Sequence, residues 1–201
     1  MENINRTYIE DFFNQELNEL KIAIKNGKHP YHCFYFSTCD DSHPEIRTVV
    51  LRNICNNPLS IRFNSDIRSK KIEHIKKNNQ CSGLFYDPKR RIQIRVKGVS
   101  TIHYNDKLTK EIWSDVELQS RKCYMAKFSP GEVMEVWEPN IPKSYLKKDP
   151  SLEDSEKGYL NFCCIDFQIQ SFEVLELHHE GHIRFKILCK NEGEDYIFLA
   201  T

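Results

Sequence analysis

The chain has 201 residues, enough for one domain spanning 1–201 with a core of its own. Lys+Arg and Asp+Glu both number 29, so the formal net charge is zero, which excludes a general nucleic-acid binder with its basic surface. No run is long and apolar enough to span a membrane, and Met1 to Arg6 lack the apolar stretch of a signal peptide.

In chain order, Thr7 with Glu10 reads as a capping box. It opens a helix whose inward stripe is Ile9, Phe12, Phe13, Leu17, Leu20 and Ile24, with Gly27 at its end. Tyr31 to Thr38 is a first strand, the 40–44 stretch a turn, and Glu45 to Arg52 the second arm of a hairpin. Asn56-Asn57-Pro58 turns the chain into a strand over Leu59 to Phe63. A helix follows from about Ile67 to Asn78, then a short strand from Cys81 to Tyr86. Arg91 to His103 is one long strand, or two with a bend at Gly98. Asp106 caps a helix that turns Leu108, Ile112, Val116 and Leu118 inward. Residues 129–155 read as a loop too long for a plain connection. Tyr159 to Phe167, Gln170 to Leu177, His182 to Cys189 and Glu194 to Leu199 read as antiparallel strands, with a turn at Glu180-Gly181. Many short strands with few helices give a mainly β, α+β fold and suit a closed antiparallel barrel without a long exposed edge.

The eight cysteines form no C-x-x-C pair, and several lie in apolar runs. Buried thiols in a reducing cytoplasm are expected rather than a zinc site. No Ser-His-Asp or Cys-His order suggests hydrolysis, and no metal site is expected.

Chemistry gathers in three segments. Ser65-Asp66-Ile67-Arg68-Ser69-Lys70-Lys71 lies where a strand gives way to a helix. A helix start exposes unpaired N–H groups and a partial positive charge, and the added hydroxyl and ammonium groups suit a phosphate. Ser65 or Asp66 could cap this helix, and a capped surface helix with solvated lysines is the plainer alternative. Upstream, Arg47-Thr48-Val49-Val50-Leu51-Arg52 is a strand with an arginine near each end. Downstream, Gln93, Arg95 and Lys97 share one face of a strand. Arginine offers a donor fork suited to phosphate, and a glutamine amide can read a heterocycle edge.

Together these segments resemble the pyridoxamine 5'-phosphate oxidase family of FMN-binding split barrels. Arg47 to Arg52 is similar to its R-x-V-x-L-[KR] strand, Ser65 to Lys71 to its T-[ND]-x-x-S-x-K turn, and Gln93 to Gly98 to its Q-V-x-V-x-G strand. The Asp-x-Arg-Ser wording resembles a divergent branch rather than the best-studied bacterial enzyme. The likeness runs from about Tyr31 to Gly131 and is thinner from Phe162 to Lys186.

The resemblance implies an antiparallel split barrel that binds FMN, works as a homodimer with cofactor between the barrels, and acts on a phosphorylated B6 vitamer or another anionic compound. Arg47 and Lys71 match positions that hold the FMN phosphate. Ser65, Ser69 and Lys70 match positions lining it, and Gln93 matches the residue that contacts the flavin ring. Val49, Val50, Leu51 and Asp66 fall within the same cofactor-binding segments. Arg52 matches a substrate-phosphate position, and Ser120-Arg121 a region that meets substrate or cofactor phosphate, with an exposed basic helix end as the alternative. One phosphate turn without G-x-G-x-x-G points to FMN rather than FAD. The family's tryptophan and R-x-H-x-R strand are replaced here by Leu177, His182, Arg184 and Lys186. That leaves His182 and Arg184 as candidate catalytic residues, with Arg184 also a substrate contact. Two functions fit: an FMN-dependent oxidase of pyridoxamine or pyridoxine phosphate, or an FMN-binding relative with another redox substrate or no catalysis.

Overall fold

A computed structural model describes residues 5–40, 43–190 and 193–201. Nine antiparallel strands form one sheet: β1 Cys33–Cys39, β2 Pro44–Val50, β3 Asn53–Asn56, β4 Leu59–Asp66, β5 Gln80–Asp87, β6 Ile92–His103, β7 Phe162–Glu176, β8 Ile183–Lys190 and β9 Gly193–Phe198. Among the described residues five α-helices accompany them: α1 Arg6–Lys25, α2 Lys70–Lys77, α3 Lys107–Asp115, α4 Leu118–Arg121 and α5 Leu152–Ser155.

The strand order is β2-β1-β5-β6-β7-β4-β3, and β8 joins β7 and carries β9. The expected closed barrel is therefore corrected, because β2 and β3 remain unpaired ends of the ladder. The split arises within β7. Its first half pairs with β4 from Phe162 to Gln168, and its second half pairs with β8 from Ser171 to Glu176.

Strand β7 also replaces two expected strands. Its buried parity runs through Phe167 and Ile169, then shifts to Phe172 and Val174. The shift coincides with a bulge opposite Lys97/Gly98, where Gly98 pairs with Ile169 and Lys97 with Ser171. A bulge adds one residue to one strand and reverses which side chains face inward, so one strand reads as two. Strand β3 was not expected, since Asn53, Cys55 and Asn56 are exposed and carry no apolar alternation.

The N-cap of α1 is Asn5, whose side chain accepts from the Tyr8 backbone N–H, rather than Thr7. Helix α1 lays Phe12 against Phe185 and Phe13 against Phe172, both edge-on, at ring separations of 5.3 and 5.1 Å. The barrel interior is a chain of aromatic contacts linking Tyr31, Phe34, Phe36, Phe63, Phe85 and Phe167. Glu16 of α1 is fully buried and is matched there by the Tyr31 hydroxyl at 2.7 Å and by Arg90 Nη1 at 2.6 Å. A buried carboxylate without those donors would be strongly destabilising. Burial beside Glu16 pushes the Tyr31 phenol far above its ordinary value.

Helix α3 is capped by Asp106 as expected, in a reciprocal capping box with Thr109. Its buried anchor is Trp113, whereas Leu108, Ile112, Val116 and Leu118 are half-buried. Residues 129–155 are mostly irregular, with a 3-10 turn at Lys143–Tyr145 and the short α5.

At Gly98 any Cβ would overlap the Gln168 carbonyl across the bulge. Replacing Gly98 by Ala is expected to force β6 off β7 and to cost on the order of 3 kcal/mol or more. Thermal unfolding checks this, and a melting temperature within two degrees of wild type would show that the backbone yields there.

Candidate functional site

The turn from β4 into α2 brings its polar side chains to one point. Lys71 Nζ donates to Ser65 Oγ and to Ser69 Oγ, each at 3.0 Å. Ser69 is the N-cap of α2, in extended geometry and without a side-chain cap bond. Its hydroxyl donates instead to the Asp66 carbonyl at 2.8 Å. Asp66 is not the cap either. Its carboxylate accepts the Arg68 backbone N–H at 2.8 Å and a forked pair from the Arg68 guanidinium at 3.0 and 2.7 Å. The acid of the turn is thus neutralised from the side.

Arg47 reaches the same region from β2. Its Nη1 donates to Thr38 Oγ1 at 2.8 Å, to the Glu45 carbonyl at 3.0 Å and to the Phe36 carbonyl at 3.3 Å. Its Nη2 meets the Glu45 carboxylate at 2.9 Å. A cavity of about 330 Å³ is lined by Arg47, Val49, Val50, Ser65, Asp66 and Lys71, among others. Arg52, Asn64, Cys123 and Tyr124 line it too, and the same four line a neighbouring cleft of about 600 Å³. Ser120 sits in that cleft with Ile112, Val116 and Arg62.

Electrostatically the cavity is poised for an anion. Burial lowers the Lys71 ammonium pKa, and the Arg47 charge lowers it further. Burial likewise lowers Arg47. Among the described residues no carboxylate contacts Lys71. Asn64 Oδ1, between the cavity and the cleft, is buried without a partner. Two half-buried cations and an unmatched amide oxygen fit a ligand that brings a dianion and an N–H or O–H donor.

Other expected residues lie elsewhere. Leu51 is fully buried in the core, and its backbone N–H is taken by the His32 carbonyl at 2.8 Å, so its side chain is not a cofactor contact. Lys70 is exposed, outside the cavity lining. Arg121 is corrected from a substrate residue to an internal tie. It is 2% exposed and donates to the carbonyls of Val116, Trp113 and Ser114, to Ser155 Oγ and to Glu156, and it stacks on the Trp113 ring at 4.5 Å. No N–H remains directed at a ligand.

Gln93 pairs with Leu175, and Arg184 with the same Leu175, near the far end of β7 from Cys163, the partner of Ser65. At ~3.3 Å per residue the strand contour between these ends is about 40 Å. Arg184 donates twice to Glu173 Oε1, at 2.9 and 2.7 Å, and Arg95 binds the same oxygen. The two arginines hold the Glu173 carboxyl below its usual range against the opposing effect of burial. His182 lies just before β8, where its Nδ1 accepts from the His178 backbone N–H at 3.2 Å.

Residues 13–104 match the family model described as Pyridoxamine 5'-phosphate oxidase, FMN-binding domain. Over that segment, a little under half of the 201 residues, the chain is similar to this family. The matched segment contains Arg47, the Ser65–Lys71 turn and Gln93. A pyridoxamine 5'-phosphate oxidase-related, FMN binding protein from Nostoc punctiforme PCC 73102 superimposes on this chain with TM-score 0.70 at 18% identity, covering 93% of this chain and 96% of that one. PhzG from Burkholderia lata 383, solved with tetrahydrophenazine-1-carboxylic acid, gives TM-score 0.69 at 12% identity over 100% and 99% of the two chains. A member of the pyridoxinephosphate oxidase family from Clostridium acetobutylicum, related to general stress protein 26, gives 0.54 at 15% identity over 87% and 94%. At these identities the likeness is one of fold. No curated protein sequence matches the chain.

Two outcomes separate ligand-directed cations from internal ones. A lysine whose folded pKa is below its unfolded value makes the folded state the weaker proton binder. Its charge then costs stability at neutral pH, and stability rises as pH climbs from the folded toward the unfolded value. Lys71→Met is therefore expected to raise the melting temperature of the ligand-free protein at neutral pH, with the gain shrinking toward the ordinary value of 10.5. A lower melting temperature across that range would show that Lys71 stabilises the empty fold. Arg121→Ala is expected to cost about 1–3 kcal/mol or more in chemical denaturation, because buried carbonyls and Ser155 lose their donor; stability unchanged within error would return Arg121 to the ligand-facing set.

Proposed function

We propose that the chain is a flavoprotein that holds FMN with its phosphate at Arg47 and Lys71, and that it works as an FMN-dependent oxidoreductase of the pyridoxamine 5'-phosphate oxidase type. The observation that carries this reading is the pair of half-buried cations facing one cavity, with Asp66 tied off by Arg68. Ser65, Ser69 and the first turn of α2 complete an anion cradle there. Val49 and Val50 line the cavity beside it, and Arg52 and Ser120 face the adjoining cleft, where an anionic substrate would sit. When bound, FMN supplies hydride acceptance from a carbon next to an amine or alcohol and electron transfer to oxygen; the chain supplies binding and orientation.

A homodimer is the assembly that would unite the other matched residues around one cofactor. Gln93 and Arg184 lie at the opposite end of β7 from the phosphate cradle, so one flavin meets both groups only if a second copy brings its Gln93 end to the first copy's cradle. The sheet face that carries Gln93 also carries exposed Tyr35, Ile46 and Tyr86, apolar surface suited to burial. Eight free thiols, three of them buried, accord with a reducing cytoplasm.

A second reading draws on one observation. Arg184 is already neutralised by Glu173, and the family's R-x-H-x-R strand is absent, so the flavin-side contacts of a B6 oxidase are altered. The same cofactor would then serve a different anionic redox substrate.

Titration of the purified protein with FMN, followed by flavin fluorescence, is expected to show binding. Arg47→Ala is expected to weaken it about ten-fold or more, in line with the ~1.5–3 kcal/mol of a charge-assisted hydrogen bond. Light scattering is expected to give twice the chain mass. Peroxide release with pyridoxamine phosphate decides between the two readings. No fluorescence change on FMN addition removes both.

A further inference from the structure

We propose that Thr38 is a positioning residue that sets Arg47 for phosphate, and so makes the site select phosphorylated flavin over riboflavin. The inference rests on the FMN reading above and adds to it a residue outside the three motifs.

Thr38 is 1% exposed, at the end of β1, on the same inward parity as Phe34 and Phe36. A hydroxyl in that position needs partners. It has two. Arg47 Nη1 donates to Thr38 Oγ1 at 2.8 Å, and His74 Nδ1 lies 3.1 Å from the same oxygen. Arg47 is always a donor, so Thr38 Oγ1 accepts from it, and toward His74 Nδ1 the hydroxyl donates or accepts according to the ring tautomer. His74 in turn keeps Thr38 Oγ1 turned as an acceptor toward the guanidinium.

The remaining contacts of Arg47 hold it less firmly. The Phe36 carbonyl is at 3.3 Å, and the Glu45 carboxylate sits on a side chain 42% exposed to solvent. Exposed ion pairs fix little. The Thr38 contact is the shortest of those made by Nη1, and its acceptor is a buried side chain. His74 lies on α2 three residues beyond Lys71, so the Arg47–Thr38–His74 relay fastens the arginine of β2 to the helix that carries the lysine. The two cations are thereby held at a fixed separation before any ligand arrives. An arginine left free to swing loses side-chain entropy on binding, and that loss falls on phosphate affinity alone.

The test uses two flavins that differ in the phosphate. Wild type, Thr38→Val and Thr38→Ser are each titrated with FMN and with riboflavin by fluorescence. Thr38→Val, nearly isosteric, is expected to weaken FMN about ten-fold and to leave riboflavin within two-fold; Thr38→Ser, which keeps the hydroxyl, is expected to stay within about two-fold for both. Equal losses for both flavins would reveal a general packing role and overturn the proposal, as would no loss for either. Should the valine variant not fold, Thr38→Ala carries the same expectation. A wild type that fails to bind FMN overturns the cofactor reading itself, whereas a wild type that binds beside a valine variant of equal affinity overturns the positioning role alone.

Discussion

The bulge between β6 and β7 is the constraint on which the rest of the molecule depends. Strand β6 runs beside β7 for nearly its whole length, and at Lys97/Gly98 the register shifts. Before the shift, β7 turns Phe167 and Ile169 into the barrel and pairs with β4; after it, β7 turns Phe172 and Val174 inward, under α1, and pairs with β8. A strand without the extra residue would keep one parity and expose half of those apolar side chains. The bulge thus lets one strand serve two sheet directions. It also fixes the distance between the anion cradle at the start of β7 and the Gln93–Arg184 end.

The cations of this chain divide by how their donors are used. Arg121 and Arg90 are enclosed by acceptors: backbone carbonyls and Glu156 for the first, Glu16 and Asp87 for the second. Each repairs a local need of the fold, the ends of α3 and α4 in one case and the buried Glu16 in the other. Lys71 has two hydroxyls and no carboxylate, and it shares its surroundings with Arg47. Such an arrangement is expected to lower the stability of the empty protein, and no acid in contact with Lys71 requires it. Binding sites often retain groups of this kind, since optimising them for stability removes what they bind. The contrast supports a ligand role for Lys71 more directly than its place in a motif does.

Much of this was legible in the sequence because it is local. The strand–turn–helix around Ser65 to Lys71 announces itself by alternation, hydroxyls and a helical apolar pair, and the structure gathers Ser65, Ser69 and Lys71 as expected. The hairpin of β1 and β2 was equally plain, although β1 starts two residues later and β2 ends two residues earlier than the pattern implied. What failed was non-local. The fate of Arg121 depends on carbonyls of α3 and on Ser155 and Glu156, more than thirty residues away in the chain for the last two. The unity of β7 is hidden because a bulge breaks period-two alternation in the same way that a turn does. Thr38 and Asn64 belong to no motif. Thr38 had a faint signal: strand parity places a hydroxyl among Phe34 and Phe36, and the hairpin puts Arg47 opposite Phe36. Asn64 gave none.

The last strands show why a residue pattern and a charge pattern are different things. Alternation over Arg184 and Lys186 suggests a cationic face, and the structure does place both on the side opposite the buried Phe185 and Ile187. That face is shared with neighbouring strands, however. Arg184 is opposite Leu175 and Lys186 opposite Glu173, while Arg95 of β6 approaches Glu173 from the other flank. One carboxylate among Arg95, Arg184 and Lys186 leaves a patch that is still cationic but has both arginines already committed to Glu173. An anion arriving there must compete with Glu173 for Arg184, whereas an anion arriving at Lys71 displaces no acid. Of these two places, the turn between β4 and α2 therefore offers an anion the less obstructed cation. The Arg184 end is better suited to contact a ligand that is already anchored by its phosphate than to capture one from solution.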